Sequence, residues 1–303
     1  MVFDVGGTEI KYSVMDEQMH RTDSGAVPTP QDTQAQFLDT LYRLYAPHKD
    51  EVTGIAMALP GFVDNRTGYV SNGGALLYNT ATPVGQLLAE KCGCPVILEN
   101  DGKAAAMAEL ANGALKGCCN AAVFIIGTGV GGGIIANGQL VRGVHFTAGE
   151  YSFVNTNAEA WDAPDQNMAC QCSTSNLLKW YRARKALPED APLDGRSFFA
   201  AANAGEPEAL EVLRRFCHAV AVQIFNLTVL LDVEKVAIGG GISKQPLLLE
   251  SLRSAYDGLY ASRAGQAYME GLPRCQIVPC AFSSEANQVG VAAAYFEAMQ
   301  RKC

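Results

Sequence analysis

Val2-Phe3-Asp4-Val5-Gly6-Gly7-Thr8-Glu9-Ile10-Lys11 and Ala121-Ala122-Val123-Phe124-Ile125-Ile126-Gly127-Thr128-Gly129-Val130-Gly131-Gly132-Gly133-Ile134-Ile135-Ala136 carry one theme twice. In each, a short apolar run meets a turn of glycine and threonine, and a second apolar run follows. Short apolar runs bounded by glycine predict strands. The first copy predicts strands over Val2–Asp4 and Ile10–Met15. The second predicts strands over Ala121–Ile126 and Ile134–Ala136, with Gly127–Gly133 as the turn between them. Asn137-Gly138 then reads as a hairpin signal. A repeat with a period above a hundred residues points to a duplicated domain rather than a solenoid.

Outward from these two stretches, strands and helices alternate. Helices are predicted over Thr33–Tyr45, Thr82–Cys92, Lys103–Leu110, Gln245–Tyr256 and Glu285–Met299. A longer one covers Glu206–Leu231, with Leu210, Leu213, Phe216, Val220, Ile224 and Leu227 inward. Strands are predicted over Val52–Leu59, Pro95–Leu98 and Lys235–Ile238, the last followed by Gly239-Gly240-Gly241. Thr156–Asn176 is polar and irregular and reads as a loop. Alternating strands and helices make an α/β fold. Every glycine cluster falls just after a strand, at the sheet edge where α/β proteins bind ligands.

Composition narrows the function. The chain has 303 residues, 49% hydrophobic and 18% charged, with a net charge of −8. An acidic balance gives no general attraction to nucleic acid or anionic membrane, so neither is an expected partner. No apolar run reaches the roughly 18 residues of a membrane span. The first residues carry Asp4 and two glycines where a signal peptide would be apolar, so a cytoplasmic location is expected. The ten cysteines are scattered, and in a reducing compartment most are expected to be small buried hydrophobes.

Glycine turns let backbone N–H groups converge on an anion, and a threonine adds a hydroxyl donor. Three such turns at strand ends favour a phosphate-bearing ligand. Gly127, Gly129 and Gly132 match a dinucleotide pattern, but that fold needs a helix after the glycines, and a strand follows here. The Walker A pattern is absent. Asn100-Asp101 lies between a predicted strand and helix. Both residue types suit a helix cap, and the same position keeps a carboxylate ionised and aimed out of the sheet edge. Glu150, after Gly149, is by itself an ordinary surface acid.

In company, these segments resemble the ROK family of sugar kinases, open reading frames and repressors. The carriers are Asp4-Val5-Gly6-Gly7-Thr8 with Lys11, Pro60-Gly61-Phe62-Val63-Asp64, Glu99-Asn100-Asp101 with Ala104-Ala105-Ala106 and Glu109, Ile126 to Gly133, Ala148-Gly149-Glu150, and Ile238-Gly239-Gly240-Gly241-Ile242-Ser243. They span nearly the whole chain. The resemblance implies an α/β, actin-like/hexokinase-like fold, with two ribonuclease-H-like domains and a cleft between them. The expected division is 1–112, with the helix of 285–303 returning to it, and 113–284.

The resemblance also implies ATP and Mg²⁺ as cofactors and a small-molecule sugar as substrate. Asp4 would hold Mg²⁺ through water. Gly6, Gly7, Thr8 and Lys11 would form the first phosphate loop, and Gly127, Thr128, Gly129 and Gly131 the second. Gly239, Gly240 and Gly241 would lie against the adenosine. Asn100 and Asp101 would bind sugar hydroxyls, with Asp101 as catalytic base, and Glu150 would bind another pair. Gly61 and Gly74 would line the sugar site. Family members are often dimeric, which makes a homodimer the expected assembly.

Two departures shape the expected specificity. Most family members hold a structural zinc with one His and three Cys. Here Phe153 stands in place of that His, and Cys170-Gln171-Cys172 is followed by Ser173-Thr174-Ser175-Asn176. Structural zinc takes four ligands and two remain, so no zinc site is expected. The chain is similar to the zinc-less branch that includes β-glucoside kinases, at Ser71-Asn72-Gly73-Gly74-Ala75 and Ala148-Gly149-Glu150-Tyr151. Phosphoryl transfer to the 6-hydroxyl of a hexose or β-glucoside is therefore expected. The alternatives are a hexose or N-acetylmannosamine kinase of different specificity, or a sugar-binding member without kinase activity. The family's repressors carry a winged helix-turn-helix ahead of the first motif, which begins here at Asp4, so a DNA-binding role is not expected. Trp161, in the loop after Glu150, is a packing residue or a surface for stacking on a sugar.

Overall fold

The structure is a computed structural model that describes residues 1–263 and 265–300. In chain order the first elements are β1 (Val2–Val5), β2 (Glu9–Met15), β3 (Arg21–Pro28), α1 (Gln34–Tyr45), β4 (Ile55–Leu59), β5 (Phe62–Asp64), β6 (Tyr69–Asn72), α2 (Val84–Cys92), β7 (Val96–Asn100) and α3 (Asp101–Asn112). There follow β8 (Ala121–Ile126), β9 (Val130–Ala136), β10 (Gln139–Val141), α4 (Met168–Gln171), α5 (Thr174–Arg184), α6 (Gly195–Asn203), α7 (Pro207–Leu231), β11 (Lys235–Gly239), α8 (Pro246–Ala261), β12 (Gln276–Pro279) and α9 (Ala286–Gln300).

The duplication is plain in the sheets. One has the order β3-β2-β1-β4-β7 and the other β10-β9-β8-β11-β12. In the first, β1 pairs antiparallel with β2 and parallel with β4, and β4 pairs parallel with β7. In the second, β8 pairs antiparallel with β9 and parallel with β11, and β11 pairs parallel with β12. Each sheet thus begins with a strand, a glycine turn and a returning strand, then continues through crossovers.

The chain divides into two units. The first holds Met1–Gly113, Leu140–Ala148 and the segment from Ser284, and the second holds Ala114–Gln139 and Gly149–Ser283. Leu140–Ala148 belongs with the first unit. The reason is local: Arg142 Nε lies 2.8 Å from Glu99 Oε2, and the Arg66 guanidinium lies 4.7 Å from the Phe146 ring centroid. In the first unit the core gathers Phe3, Ile10, Phe37, Leu41, Ile55, Met57 and Leu98 around its sheet. In the second, Phe124, Phe198, Phe216, Val220, Ile224 and Ile238 do the same. Each such side chain contributes about 1.5–3 kcal/mol when fully buried.

Three sequence expectations change. Gly131–Gly133 are not part of a turn but lie inside β9, paired with Ile125, Phe124 and Val123. A Cβ on Gly132 would run into the Val123 carbonyl oxygen, so these glycines serve close strand approach. Leu210 of α7 is 37% exposed, and the inward face of that helix opens instead with Ala209, Val212 and Leu213. Thr156–Asn176 is not all loop, because α4 and the start of α5 fall within it, capped by the Asn167 and Ser173 side chains.

Of the nine cysteines described, Cys118, Cys172, Cys217 and Cys275 are buried, Cys119 is exposed and the rest are intermediate, so burial claims fewer than half. Cys303 lies outside the described residues. Among the described residues no helix is long and apolar enough to cross a membrane.

Candidate functional site

The first group of candidate residues lies at the carboxyl edge of the first sheet. Asp4, Ala58 and Glu99 are register partners across β1, β4 and β7. At one strand spacing of about 4.8 Å, β1 and β7 run about 10 Å apart. Asp4 thus sits on the same edge as Asn100, which ends β7, and Asp101, which opens α3.

Asn100 is the hub. Its Oδ1 accepts from Lys103 N at 3.1 Å, capping α3. Its Nδ2 donates to Gly61 O at 3.0 Å and to Asp101 Oδ1 at 3.1 Å. Asp101 Oδ1 also accepts from Gly102 N at 2.7 Å. Two donors therefore fix one carboxylate oxygen, and the first-turn position favours the ionised form. Gly74 belongs to the same cluster: its N–H donates to Asn72 Oδ1 at 2.8 Å, and a Cβ on it would stand 2.9 Å from Gly61 N. Gly61, Gly74, Asn100 and Asp101 are thus brought together.

The first glycine turn is braced from behind. Gly6 N donates to Glu9 O at 2.9 Å and Thr29 N to Thr8 O at 3.0 Å. Thr29 Oγ1 donates to Gly6 O at 2.8 Å, and Gln31 Nε2 to Gly7 O at 2.7 Å. The carbonyls are engaged, while the N–H groups of Gly7 and Thr8 meet no acceptor among the described residues. That is the pattern of an anion-binding turn. Asp4, beside it, faces Lys11 across the β1–β2 ladder and accepts from Asn287 Nδ2 at 2.9 Å. Burial lifts its carboxyl above the usual range, against the lowering effect of Asn287 and Lys11. A desolvated carboxylate beside an anion-binding turn suits a hard divalent cation.

The second unit carries the matching turn. Gly127 N donates to Gly129 O at 3.0 Å, and Thr174 N to Gly127 O at 2.9 Å. Ser152 Oγ accepts from Val130 N at 3.1 Å and donates to Val130 O at 3.0 Å. The N–H groups of Thr128 and Gly129 find no acceptor among the described residues. Gly131 is one step inside β9. The third turn adjoins this one: Gly239 pairs with Ile125, and a Cβ on Gly240 would meet the Ile126 carbonyl. Gly241 has nothing within 4 Å of its Cβ position, leaving room beside that turn.

Glu150 precedes the short 3₁₀ turn Tyr151–Phe153, and Phe153 N donates to its carbonyl at 3.2 Å. Tyr151 anchors that turn, donating to Gly133 O at 3.1 Å. Phe153 and Trp161 are 70% and 76% exposed, so Trp161 is not a core residue. Among the described residues no group of three or more His, Cys, Asp or Glu could hold a metal ion. Sequence reasoning missed Thr29, Gln31, Asn287, Glu99 and Arg142. Only Glu99, next to Asn100-Asp101, carried any sequence signal.

A model of the ROK family matches residues 1–299. A β-glucoside kinase of Listeria innocua is 29% identical over 253 residues, spanning 83% of this chain and 85% of that protein. A glucokinase of Halalkalibacterium halodurans is 30% identical, spanning 80% of this chain and 79% of that protein. An N-acetyl-D-glucosamine kinase of Vibrio atlanticus is also 30% identical, spanning 82% and 86%. Among solved structures, a ROK family protein of Streptococcus pneumoniae in complex with sucrose has a TM-score of 0.86 at 27% identity and covers 99% of both chains. A ROK family glucokinase of Streptomyces griseus, in complex with glucose and AMPPNP, has a TM-score of 0.78 at 25% identity, covering 96% of this chain and 97% of that one.

Proposed function

This chain belongs to the ROK family, and from that premise we propose that it is an ATP-dependent sugar kinase acting on the 6-hydroxyl of a hexose or β-glucoside. Its fold is the actin-like, hexokinase-like α/β fold of its structural neighbours. The carrying observation is the Asn100–Asp101 pair, with Asp101 Oδ1 held by two donors at 3.1 and 2.7 Å.

In this reading Asn100 and Asp101 bind the acceptor sugar, and Asp101 takes the hydroxyl proton as the new P–O bond forms. Fixing Oδ1 orients the carboxylate before the sugar arrives, so little reorganisation remains for the transition state. Gly7, Thr8, Thr128 and Gly129 offer N–H groups to phosphate oxygens, and Gly241 leaves room for the adenosine. Glu150 is assigned to further sugar hydroxyls. Asp4 would hold Mg²⁺ through water, and the bound ion would neutralise charge on the transferring phosphoryl group. The β-glucoside reading draws on the β-glucoside kinase relatives and on the small side of the site at Gly73-Gly74.

The test is ADP release with Mg-ATP across hexoses, N-acetylhexosamines and β-linked disaccharides. Strong turnover with one class identifies the acceptor. Sugar binding by calorimetry with no ADP release would replace this reading with a sugar-binding protein.

Asp4 gives a separable prediction. Asp4→Asn keeps the Asn287 contact but removes a buried charge. Turnover is expected to fall at least about tenfold, with a raised Mg²⁺ requirement, while Tm stays level or rises by a few degrees. The sign follows from the raised folded-state pKa. Ionised Asp4 destabilises the folded protein increasingly as pH rises from the unfolded value through the folded one. The variant's gain in Tm should therefore be larger near neutral pH than near about pH 4, the ordinary carboxylate value. Melts at both pH values, with kinetics against Mg²⁺, check it.

A further inference from the structure

We propose that Glu99 and Arg142 form a positioning pair for the Asn100–Asp101 dyad; this rests on the kinase reading above. Glu99 is 1% exposed, yet it is a carboxylate. A buried ion pair is a weak source of stability, because apolar residues of the same volume often do as well. Its presence therefore calls for another reason, and its hydrogen bonds supply one. Glu99 Oε2 accepts from Arg142 Nε at 2.8 Å, and Glu99 Oε1 accepts from Asn100 N at 3.0 Å. Asn100 in turn donates to Asp101 Oδ1 at 3.1 Å. A continuous relay thus runs from the guanidinium to the proposed base.

The cation end of the relay is itself braced. Arg142 Nη2 lies 3.4 Å from Met107 Sδ on α3. Ala148 N donates to Arg142 O at 3.2 Å, closing the loop between them. Within that loop Phe146 holds φ at +59°, a left-handed conformation rare for a bulky side chain. Such strain persists only where the surroundings over-determine it. Here burial of the ring and the Arg66 guanidinium at 4.7 Å do so. The segment Leu140–Ala148 belongs to the first unit while the chain on both sides of it belongs to the second. Delivery of Arg142 to Glu99 accounts for that excursion.

Neither residue is placed on the substrate, so the pair acts through alignment. A misplacement of about 1 Å costs about a hundredfold in rate, which sets the upper bound here. Arg142→Met should lower kcat about 10- to 100-fold, with the sugar KM within about threefold of wild type. Arg142→Lys, which keeps the charge but not the directed Nε–H, should fall between. Glu99→Gln should reproduce the loss, and the Glu99→Gln/Arg142→Met double variant should lose much less than the two combined.

The experiment is steady-state kinetics of these four variants on the best acceptor, with a thermal melt of each. Selective loss of kcat with non-additive coupling supports the pair. Wild-type kcat in Arg142→Met, or equal losses in KM and kcat with full additivity, would overturn it. Should Arg142→Met fail to fold, Arg142→Lys and Glu99→Gln carry the same test. An active wild type with unaffected variants refutes the pair alone; a wild type without turnover refutes the kinase reading and the pair together.

Discussion

Replacement of Asp101 by Asn is expected to give a folded protein that binds sugar and turns over at least about a thousandfold more slowly. The geometry explains why the fold survives. Asp101 Oδ1 accepts from Asn100 Nδ2 and Gly102 N, at 3.1 and 2.7 Å. An asparagine keeps both bonds by placing its amide oxygen there. That choice puts the amide nitrogen where Oδ2 stood. Nitrogen in that position donates and cannot take a proton, so the orientation is preserved and the base is lost. A thousandfold loss is about 4 kcal/mol of transition-state stabilisation, within the range of general bases. Sugar KM should change far less than kcat, because the Asn amide still offers a polar partner to the sugar and Asn100 is unchanged. Asp101→Ala should do worse on stability, since Asn100 Nδ2 and Gly102 N both lose an acceptor. Near-normal kcat in Asp101→Asn would remove Asp101 from the role of base.

What the sequence disclosed and what it hid follow one physical distinction. Both strand–turn–strand copies were legible because β1 and β8 are buried along nearly their whole length and lead into glycine. Their apolar runs are continuous and their boundaries sharp. The Asn100 cap was legible because Asn and Asp before an alanine-rich stretch have few other uses. By contrast β3 left no signal. It is an edge strand of its sheet and mostly exposed, and its opening run Arg21-Thr22-Asp23-Ser24-Gly25 holds no apolar side chain that could alternate. Yet β3 leads into Thr29 and Gln31, which brace the first glycine turn.

The same distinction applies to the site. Turn glycines and Asp101 announce themselves by local chemistry. Asn287 and Arg142 act through contacts 283 and 43 residues away along the chain, and no local pattern encodes those. Gly131–Gly133 misled for a related reason. Glycine marks close approach as well as turns, and only the partner strand tells which.

Gly290 makes that point in its most testable form. On propensity alone, Gly→Ala inside a helix should stabilise by roughly 1 kcal/mol. Gly258 on α8 is exposed with nothing within 4 Å of its Cβ position, and there the rule should hold. Gly258→Ala is expected to raise Tm by a few degrees. Gly290 on α9 is buried against α3, and a Cβ there would run into the Ala104 carbonyl and stand 3.1 Å from Ala104 Cα. These are backbone atoms of a helix, so no side chain can swing aside. The two helices must separate, and the buried Ala104, Ala105 and Ala108 of α3 loosen with them. Overpacking of this kind costs about 3 kcal/mol or more, outweighing the propensity gain. Gly290→Ala is therefore expected to lower Tm by about 6 °C or more, opposite in sign to Gly258→Ala. Because α3 opens with Asp101, turnover should fall even at temperatures where the variant is folded. Thermal melts of the two variants side by side decide it: a Gly290→Ala protein as stable as wild type would mean that α3 and α9 are not in backbone contact.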